Sequence, residues 1–478
     1  MAFEFEFDKD RLRKMEILRA SGIEPYGGKF NVTSHAAEIK VNFERLNGKN
    51  VSVAGRIMGK RSHGKLSFLD LRDESGDIQI YVQEKDLDAV SLTILKNLDS
   101  GDILGVEGEV IKTKTNEISV NSRHITILAK SLLPLPPKWY GLEDVEKRYR
   151  KRYLDFIINP ESREKIVKTS KILSEIRKTL ENKGFLEVVV PILQQIPGGA
   201  NAKPFITHYN ALDRDLYLKI ASELYLKRLM IGGFEKIFDI SKNFRNEGVD
   251  TKHNPEFIML ELYQAYGDLG SMMVITEEII KAAVRGANGS YKAKFDGKEI
   301  DFSGFQIKTM EDAVKETVNL RDKKEIISEG KKIDNKVESY GEAINAIFEE
   351  KVSKTIVQPT FITKFPVEVS PLAKRIPEED GFVYRFELYT CGMEIANAFS
   401  ELNDPVDQVK RFDLEAKRKE KGIDETQEFD RDFIEAMGYG MPPAGGVGIG
   451  LDRLSMIITD SKSIKEVIAF PQLRTLEN

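Results

Sequence analysis

Residues 244–257 read FRNEGVDTKHNPEF, and residues 258–266 continue as IMLELYQAY. Gly, Asp, Asn and Pro break the first segment, whereas the second alternates with the period of two that is typical of a β-strand. We therefore predict two strands, at about 235–244 and 255–266, joined by a long hairpin loop. Apolar even positions such as Leu260 predict the core face, and the odd positions place Phe257, Glu261 and Tyr263 on the other face. Because a purely structural sheet rarely places a carboxylate between aromatic side chains, we expect that face to line a cavity.

Arg245 stands where the first strand enters this loop, and its side chain has two interpretations. An arginine beside a turn is ordinarily a solvated surface residue. Alternatively, its planar guanidinium supplies the bidentate donor that a phosphate or a carboxylate requires. On the neighbouring strand, Phe257 can stack on a base and Glu261 can pair with a cation, which favours the second interpretation.

A second hairpin is predicted over FELYTCGMEIANAFSEL, residues 386–402. If Thr390 and Cys391 centre the turn, Glu387 and Glu394 face each other on adjacent strands. Two neighbouring carboxylates repel each other unless they share a proton or hold a hard divalent cation such as Mg²⁺. A different register, or one glutamate turned to solvent, would remove the metal interpretation. Beyond Glu394, one face of the strand carries Asn397, Phe399 and Glu401.

Two glycine-rich segments allow a ligand to approach the backbone closely. AGGVGIGLDRLSMII, residues 444–458, leads from a strand into a helix, and it is no Walker loop because no GK[ST] follows. Arg453, near the start of that helix, can still reach a phosphate beside the helix N-terminus. IPGGANAKP, residues 196–204, places Gly199 in a loop, and Glu223 follows the predicted N-cap Ser222 of a helix at 222–232. Taken alone, these features are a turn, a loop and a helix-dipole partner.

The composition along the chain indicates four parts: a helical extension (1–49), a β-rich domain (50–134), a linker (135–160) and a large domain (161–478). Five short strands with a helical interruption near 85–98 predict a small closed barrel, for which the oligonucleotide-binding barrel is one candidate. The large domain has runs of strands flanked by helices, which predicts an α+β fold on an antiparallel sheet. Within it, 185–193 is predicted as a buried strand that stops at Pro191, and 268–355 as a helical, Lys/Glu-rich insertion.

The chain has 478 residues, of which 41% are hydrophobic and 31% charged, so we expect a globular protein of several domains. No apolar run is long enough for a membrane span, and the first residues do not resemble a signal peptide, so we expect a cytoplasmic protein. The single cysteine, Cys391, excludes an intrachain disulfide framework. The net charge of −5 argues against blanket, salt-driven binding of nucleic acid. Any such binding must come from particular segments, such as the basic run KRYRKRYLDF at 147–156.

With these motifs in order, the chain resembles the class II lysyl-tRNA synthetases, of the subclass shared with the aspartyl and asparaginyl enzymes. FRNEG…HNPEF resembles motif 2 of that family, and GIGLDRL (448–454) resembles motif 3. The helix and strand that end at Pro191 resemble motif 1, which in the family forms the dimer interface. The resemblance covers about residues 10–475 and is weakest at 284–355. It implies an N-terminal five-stranded oligonucleotide-binding (OB) barrel followed by a class II catalytic domain.

The resemblance also implies a role for each matching side chain. Arg245 and Arg453 would be the catalytic residues, holding the α-phosphate of ATP with the substrate carboxylate and the γ-phosphate, respectively. Phe257 would stack on adenine, and further ATP contacts would come from Glu247, His253, Asn254 and Gly450. Mg²⁺, in more than one ion, would be bound by Glu387 and Glu394. The lysine pocket would be formed by Gly199, Glu223, Glu261, Tyr263, Asn397, Phe399 and Glu401.

The partners and the reaction follow from the same resemblance. L-lysine and ATP would give lysyl-adenylate and pyrophosphate, and a homodimer would then pass lysine to the 3′-terminal adenosine of tRNA(Lys) for protein biosynthesis. The barrel would read the anticodon. Phe68 would stack on a uridine, unless it is a core residue. The anticodon bases would be recognised by hydrogen bonds from Arg56, Gln79 and Glu117.

Substrate choice can be argued from charge. Several carboxylates in one pocket suit an ε-ammonium and would repel aspartate, although no sequence feature rejects arginine. An aspartyl or asparaginyl enzyme, which would need cations or amides in the pocket, is one alternative. A paralogue that forms lysyl-adenylate for another acceptor is a second, and we expect it to lack the barrel. A non-catalytic RNA-binding scaffold is a third, and it would tolerate the loss of Arg245, Arg453 or Glu394.

Overall fold

The computed structural model describes residues 5–136, 144–318, 322–420 and 428–474, with the side chains of 418–420 excepted. The chain forms two compact units, Met1–Glu143 and Asp144–Asn478. The predicted linker, 135–160, lies partly outside the described residues. Among the described helices, none has both the length and the apolar character needed to cross a membrane.

The first unit is a closed five-stranded barrel, as predicted. Its strands are β1 (Asn50–His63), β2 (Leu66–Arg72), β3 (Asp77–Gln83), β4 (Ile103–Lys112) and β5 (Ile118–Ala129). They pair in the order β1-β2-β3-β5-β4, and β4 closes the barrel against β1. The helices of this unit are α1 (Lys9–Ala20), α2 (Ala36–Val41), α3 (Phe43–Leu46) and α4 (Ala89–Lys96).

Alternation along each strand separates the barrel core from its outer surface. In β2, Leu69 and Leu71 are fully buried, whereas Phe68 lies on the outer face and is only partly buried. The ring of Phe68 makes an edge contact with Tyr81 of β3, at 5.6 Å between centroids. The alternative prediction that Phe68 is a core residue is therefore wrong.

The second unit contains the remaining elements. Its helices are α5 (Val145–Arg150), α6 (Arg152–Ile158), α7 (Pro160–Asn182), α8 (Glu223–Ile231), α9 (Leu269–Asn288), α10 (Met310–Val318), α11 (Lys323–Ile333), α12 (Tyr340–Ile347), α13 (Pro405–Glu420), α14 (Arg431–Gly438) and α15 (Leu451–Ile458). Its strands are β6 (Leu186–Glu187), β7 (Leu193–Gln194), β8 (Ile206–Tyr209), β9 (Arg214–Leu218), β10 (Lys236–Phe244), β11 (Glu256–Ala265), β12 (Lys292–Phe295), β13 (Lys298–Asp301), β14 (Gln306–Thr309), β15 (Thr360–Pro366), β16 (Phe382–Thr390), β17 (Met393–Ser400) and β18 (Ala444–Gly450).

Eight of these strands form the central sheet, in the order β14-β15-β16-β17-β18-β11-β10-β6. The inner pairs are antiparallel, as predicted, but the two edge pairs, β14 with β15 and β6 with β10, are parallel. The sheet is therefore mixed. Its edges could not be assigned from the sequence because β6 and β14 are only two and four residues long.

Helices α7, α9 and α15 cover one face of this sheet. Leu260 and Leu262 of β11 pack there in one apolar cluster with Ile176 of α7 and Ile279 of α9. The odd positions of β11 face away from these helices and border a cavity, which confirms the predicted division of this strand into two faces. These helices bury one face of the sheet, and the other face carries the cavity beside a second apolar cluster that includes Leu226, Ile237 and Tyr263.

Three predictions about this unit need correction. The segment 185–193 is not a buried strand: only β6 and the start of β7 are extended, and Val189 is 94% exposed. The segment 268–355 is not simply an insertion, because α9 packs in the main core and β14 extends the central sheet. The basic run at 147–156 is partly neutralised internally, since Arg148 and Arg152 both bond to the buried Asp155.

Candidate active site

A cavity of about 690 Å³ opens on the sheet face opposite the helices. Strands β11, β16, β17 and β18 supply its floor, and the loop between β10 and β11 supplies one wall. All of the nucleotide, metal and amino-acid residues predicted from the sequence line this cavity, with the one exception of Glu401. The structure thus brings together residues that span more than half of the chain.

Arg245, at the base of the loop between β10 and β11, lies over the ring of Phe257. Its guanidinium carbon is 5.1 Å from the centroid of that ring. Its Nε has no hydrogen-bond partner among the described residues. Burial lowers the pKa of Arg245, while the charges of Glu247, Glu394 and Glu261 oppose this shift. A partly buried guanidinium with a buried, unused donor beside a cavity can bind an anionic group.

Arg453 reaches the same cavity from the first turn of α15. Its Nη2 lies 2.9 Å from His253 Nε2, and its Nη1 donates to the backbone oxygen of Glu394. His253 Nδ1 is 2.8 Å from the carboxylate of Asp250, so we infer that Nδ1 carries the proton and that Nε2 accepts from Arg453. Asp452 fixes this helix by accepting a backbone N–H of β11 at 2.7 Å. The arginine is therefore held on both sides before any ligand binds.

Glu387 and Glu394 share the cavity face, but the predicted pairing between them is wrong. Glu387 pairs with Asn397, and Glu394 pairs with Tyr389. The reason is twofold: the turn is centred on Cys391 and its following glycine, both with positive φ, and a bulge adds a residue to β17. Because the bulge restores the alternation, both carboxylates still border the cavity.

Arg385 is a cavity residue that we did not identify from the sequence. Its Nη2 donates to Glu387 Oε1 at 2.5 Å, and its Nε donates to Asn397 Oδ1 at 3.1 Å. The other oxygen of Glu387 accepts the hydroxyl of Tyr389 at 2.7 Å. Burial raises the pKa of Glu387 to about 7, Arg385 lowers it, and the charge of Glu394 raises it further. Alternation could have revealed Arg385, since it lies two residues before Glu387 on the same strand.

The carboxylates of Glu387 and Glu394 are suitable ligands for magnesium. In the residues that the structure describes, no three Asp, Glu, His or Cys side chains converge to form a metal site from protein ligands alone. Mg²⁺ commonly takes only one or two carboxylates and completes its shell with water and substrate phosphates. Glu387 on β16 and Glu394 on β17, which both line the cavity, meet that requirement.

Glu261 is the most central carboxylate of the floor. Its Oε1 accepts the backbone N–H of Ser222 at 2.8 Å and the side-chain amide of Asn243 at 3.3 Å. Burial raises the pKa of Glu261 to about 7, although the Ser222 N–H opposes this shift. Ser222 precedes α8, but its hydroxyl bonds to Asp239 instead of capping the helix as predicted.

Glu401 is the predicted pocket residue that the structure places behind the cavity wall. It is 1% exposed, and its Oε2 lies 2.5 Å from Nζ of the buried Lys227. The same ammonium lies 2.6 Å from Glu223 Oε1, one helical turn earlier. Gly446 and Tyr263 separate Glu401 from the cavity, and a Cβ on Gly446 would lie 2.2 Å from Glu401 Oε1. Sequence reasoning missed Lys227, although its i+4 spacing from Glu223 is a signal for a helical ion pair.

The outer face of the barrel gathers three of the four predicted anticodon residues on neighbouring strands. Phe68 on β2 packs against Tyr81 of β3, and Gln79 lies two residues before Tyr81 on the same face. Arg56 on β1 is half-buried and donates to the backbone oxygen of Gly101 at 2.7 Å. One of its donors is therefore already used and is less available to bind an anticodon base. Glu117 is exposed just before β5. Tyr81, which sequence reasoning did not single out, enlarges the aromatic surface.

Comparison with known proteins agrees with this architecture. Residues 144–474 match the family model of class II tRNA synthetases (D, K and N), and residues 51–128 match an OB-fold nucleic acid binding domain. The chain is similar to proteins named lysine–tRNA ligase. It is 51% identical to the one from Syntrophomonas wolfei, over 98% of this chain and 97% of the relative. It is 52% identical to the one from Carboxydothermus hydrogenoformans, over 98% of each chain, and 46% identical to the one from Staphylococcus epidermidis, over 97% of each.

Each matched range lies within one of the two units, and all residues that line the cavity fall within 144–474. The chain therefore belongs to the class II tRNA synthetases of the D, K and N group.

Proposed function

We propose that the protein is a lysine–tRNA ligase, which activates L-lysine with ATP and transfers it to tRNA(Lys). The observation that carries the proposal is one cavity that unites a partly buried arginine, Arg245, which has an unused donor, with a group of buried carboxylates. The first suits a phosphate and a substrate carboxylate, and the second suits a cationic side chain. The relatives named lysine–tRNA ligase support the choice of amino acid.

In the first step, a carboxylate oxygen of lysine attacks the α-phosphorus of ATP, and pyrophosphate leaves from the opposite side. Arg245 holds the α-phosphate and the lysine carboxylate together, so the two reacting groups are positioned by one guanidinium. Phe257 stacks on the adenine, and Arg453, preset by His253, holds the γ-phosphate. The rate comes from positioning and electrostatic stabilisation, and no nucleophilic side chain is needed.

Mg²⁺, held by Glu387 and Glu394, would neutralise charge on the phosphates when bound. Arg385 keeps Glu387 aimed at the cavity through its 2.5 Å bond, and it lowers the pKa of a carboxyl that burial raises to about 7. We infer from the family resemblance that more than one ion takes part.

In the second step, the 3′-terminal adenosine hydroxyl of the tRNA attacks the carbonyl carbon of lysyl-adenylate, and AMP leaves. We infer that the barrel binds the anticodon through the aromatic surface of Phe68 and Tyr81, because unstacked bases bind to such surfaces. Gln79 and Glu117 lie near enough in the sheet order to read base edges. This activity belongs in the cytoplasm.

The aspartyl and asparaginyl alternatives need a cation or an amide that is free to meet the substrate. Lys227 is a buried cation beside the pocket, and both Glu223 and Glu401 already bind it. A substrate carboxylate would therefore face negative charge, which disfavours aspartate.

We also infer that the protein is a homodimer. Between α7 and β9, apolar side chains that would normally be buried lie on the surface: Leu186, Val189, Ile192, Leu193 and Ile206. This strip includes the segment around Pro191 that resembles motif 1. Several large apolar side chains exposed along one segment are typical of an interface between subunits. Sedimentation velocity would show a species of twice the chain mass, and a monomer at all concentrations would contradict the inference.

The experiment that tests the proposed function is ATP–pyrophosphate exchange with each of the twenty amino acids. We expect exchange with lysine and little or none with aspartate, asparagine or arginine. Exchange with aspartate or asparagine would reassign the substrate. Charging of tRNA(Lys) in the same preparation separates a ligase from a paralogue that stops at the adenylate.

A further inference from the structure

Lys227 is a fully buried lysine whose ammonium is shared between two carboxylates. Its side chain is 1% exposed, with Nζ 2.6 Å from Glu223 Oε1 and 2.5 Å from Glu401 Oε2. The same Nζ lies 5.5 Å from the ring centroid of Phe399, which lines the cavity. Burial lowers the pKa of Lys227, but the two carboxylates outweigh it and raise the pKa above its ordinary value. The side chain is therefore a fixed cation.

The charges of this cluster do not cancel. Burial raises the pKa of Glu401 to about 8, and the ammonium of Lys227 opposes that shift. With both carboxylates ionised, Glu223 and Glu401 contribute two negative charges and Lys227 one positive charge, so one negative charge remains on these three side chains. An uncompensated charge away from water is costly, so the cluster is complete only when one further cation arrives.

The open side of the cluster faces the cavity. Glu223 lines the cavity, whereas Lys227 and Glu401 do not, so the internal ammonium approaches the carboxylates from behind. Oε1 of the buried Glu401 has no hydrogen-bond partner in the described part of the chain. It lies beside Gly446, which lines the cavity, and a Cβ on that glycine would come within 2.2 Å of this oxygen.

We propose that Lys227 is a positioning residue that sets amino-acid specificity: its ammonium bridges Glu223 and Glu401 and leaves the cluster with the single negative charge that one substrate ammonium neutralises. This inference rests on the proposed function, because it concerns the ε-ammonium of lysine. A neutral side chain would leave the remaining charge buried without a partner, and a carboxylate would add a second one. The pocket thus selects by charge balance as well as by shape.

A double-variant cycle tests whether the net charge of Glu223, Lys227 and Glu401 determines the KM for lysine in ATP–pyrophosphate exchange. Glu401→Gln leaves Lys227 with Glu223 alone, a neutral pair, so we expect KM for lysine to rise by about 100-fold. Adding Lys227→Met restores one net negative charge, so the double variant should recover about tenfold in KM relative to Glu401→Gln alone. The KM for ATP should stay unchanged in both variants, which also shows that they fold.

Lys130→Met in the Glu401→Gln background is the matched control. Lys130 is another buried lysine between two carboxylates, Asp99 and Asp102, but it lies in the barrel unit. Its removal should not recover the KM for lysine. Glu223→Gln with and without Lys227→Met provides a second, independent pair should the first double variant fail to fold.

The proposal is overturned if removal of Lys227 makes the glutamine variants equal or worse, because a purely structural lysine gives losses that add. Failure of the proposed function would look different. The unaltered protein would then show no lysine-dependent exchange, and the cycle could not begin.

Discussion

At the scale of single residues, the cavity uses the same chemical groups in two ways. Arg245 keeps a donor without a partner in the described part of the chain, and Arg453 is held at the cavity by His253 and Glu394, whereas Arg385 and Lys227 are used internally to hold carboxylates. A carboxylate that binds a cation must be ionised, and burial works against this. The internal cations are therefore part of the binding chemistry, although neither one was identified from the sequence.

Glu394→Ala tests the magnesium wall. We expect lysine-dependent pyrophosphate exchange to fall by at least about 100-fold. The reason is that Mg²⁺, which would stabilise the negative charge of the phosphates, would lose one of its two carboxylate ligands. Binding of tRNA, measured by filter retention, should stay nearly unchanged. Glu350→Ala is the matched control, since Glu350 forms only an exposed ion pair with Lys354. Exchange at the level of the unaltered protein would remove Glu394 from the metal assignment.

Glu261 should give the lysine KM a pH dependence. Burial raises the pKa of Glu261 from 4.5 to about 7, so the carboxyl is largely protonated below that pH and cannot attract an ammonium. KM for lysine should therefore fall as the pH rises through about 7. Between pH 4.5 and about 7, the Glu261 carboxyl is protonated in the folded protein but ionised in the unfolded chain. The free energy of unfolding should therefore decrease as the pH rises from about 4.5 to about 7.

Glu261→Gln separates this effect from other titrations. The variant should lose the pH-dependent limb of the KM and bind lysine more weakly at high pH. Glu256→Gln, on the same strand but in a surface ion pair with Lys242, should keep the limb. A limb that survives in Glu261→Gln would assign it to another carboxyl.

At the scale of elements, strand β18 shows why glycine is needed beside the pocket. A Cβ on Gly446 would lie 2.4 Å from the ring of Tyr263 as well as against Glu401. Gly446→Ala should raise the KM for lysine by roughly tenfold and lower the free energy of unfolding by about 1–3 kcal/mol, because a rigid ring must move. If Gly446→Ala changes neither the KM for lysine nor the free energy of unfolding, Tyr263 and Glu401 can move to make room for the methyl group.

Gly448→Ala is the control for that strand. Its added methyl would meet Met259 at 3.5 Å and Cγ of Glu261 at 3.9 Å, which are ordinary van der Waals contacts. Both variants carry the same backbone entropy change, and both sites border the cavity. Only the contact with Tyr263 and Glu401 differs, so the comparison isolates the shape of the lysine end.

Elements also mark the limit of sequence reasoning. The two faces of β11 followed from alternation, because a one-residue slip would have buried Glu261 in the apolar core. The register of β16 with β17 did not, since one bulged residue shifts every pair without changing the local composition. The contact of Lys227 with Glu401 joins residues 174 positions apart, and local patterns carry no information about it.

At the scale of the whole molecule, the chain combines an acidic net charge with two separate binding surfaces. A net charge of −5 gives little general attraction for RNA, so recognition must depend on local contacts. The barrel offers an aromatic face built by Phe68 and Tyr81, and the second unit offers the carboxylate-lined cavity. Each unit has its own apolar core, so a change on the surface of one should leave the chemistry of the other intact.

Phe68→Ala tests this division of labour. Loss of a stacking surface costs about 1–3 kcal/mol per base, so we expect kcat/KM for charging of tRNA(Lys) to fall by roughly 10- to 100-fold. Lysine-dependent pyrophosphate exchange, which needs no tRNA, should be unchanged in the same preparation. Because Phe68 lies on the outer face of β2, its removal should leave the buried side chains Leu69 and Leu71 in place. Equal loss of both activities would mean that Phe68 supports the fold, and unchanged charging would mean that the anticodon binds elsewhere on the barrel.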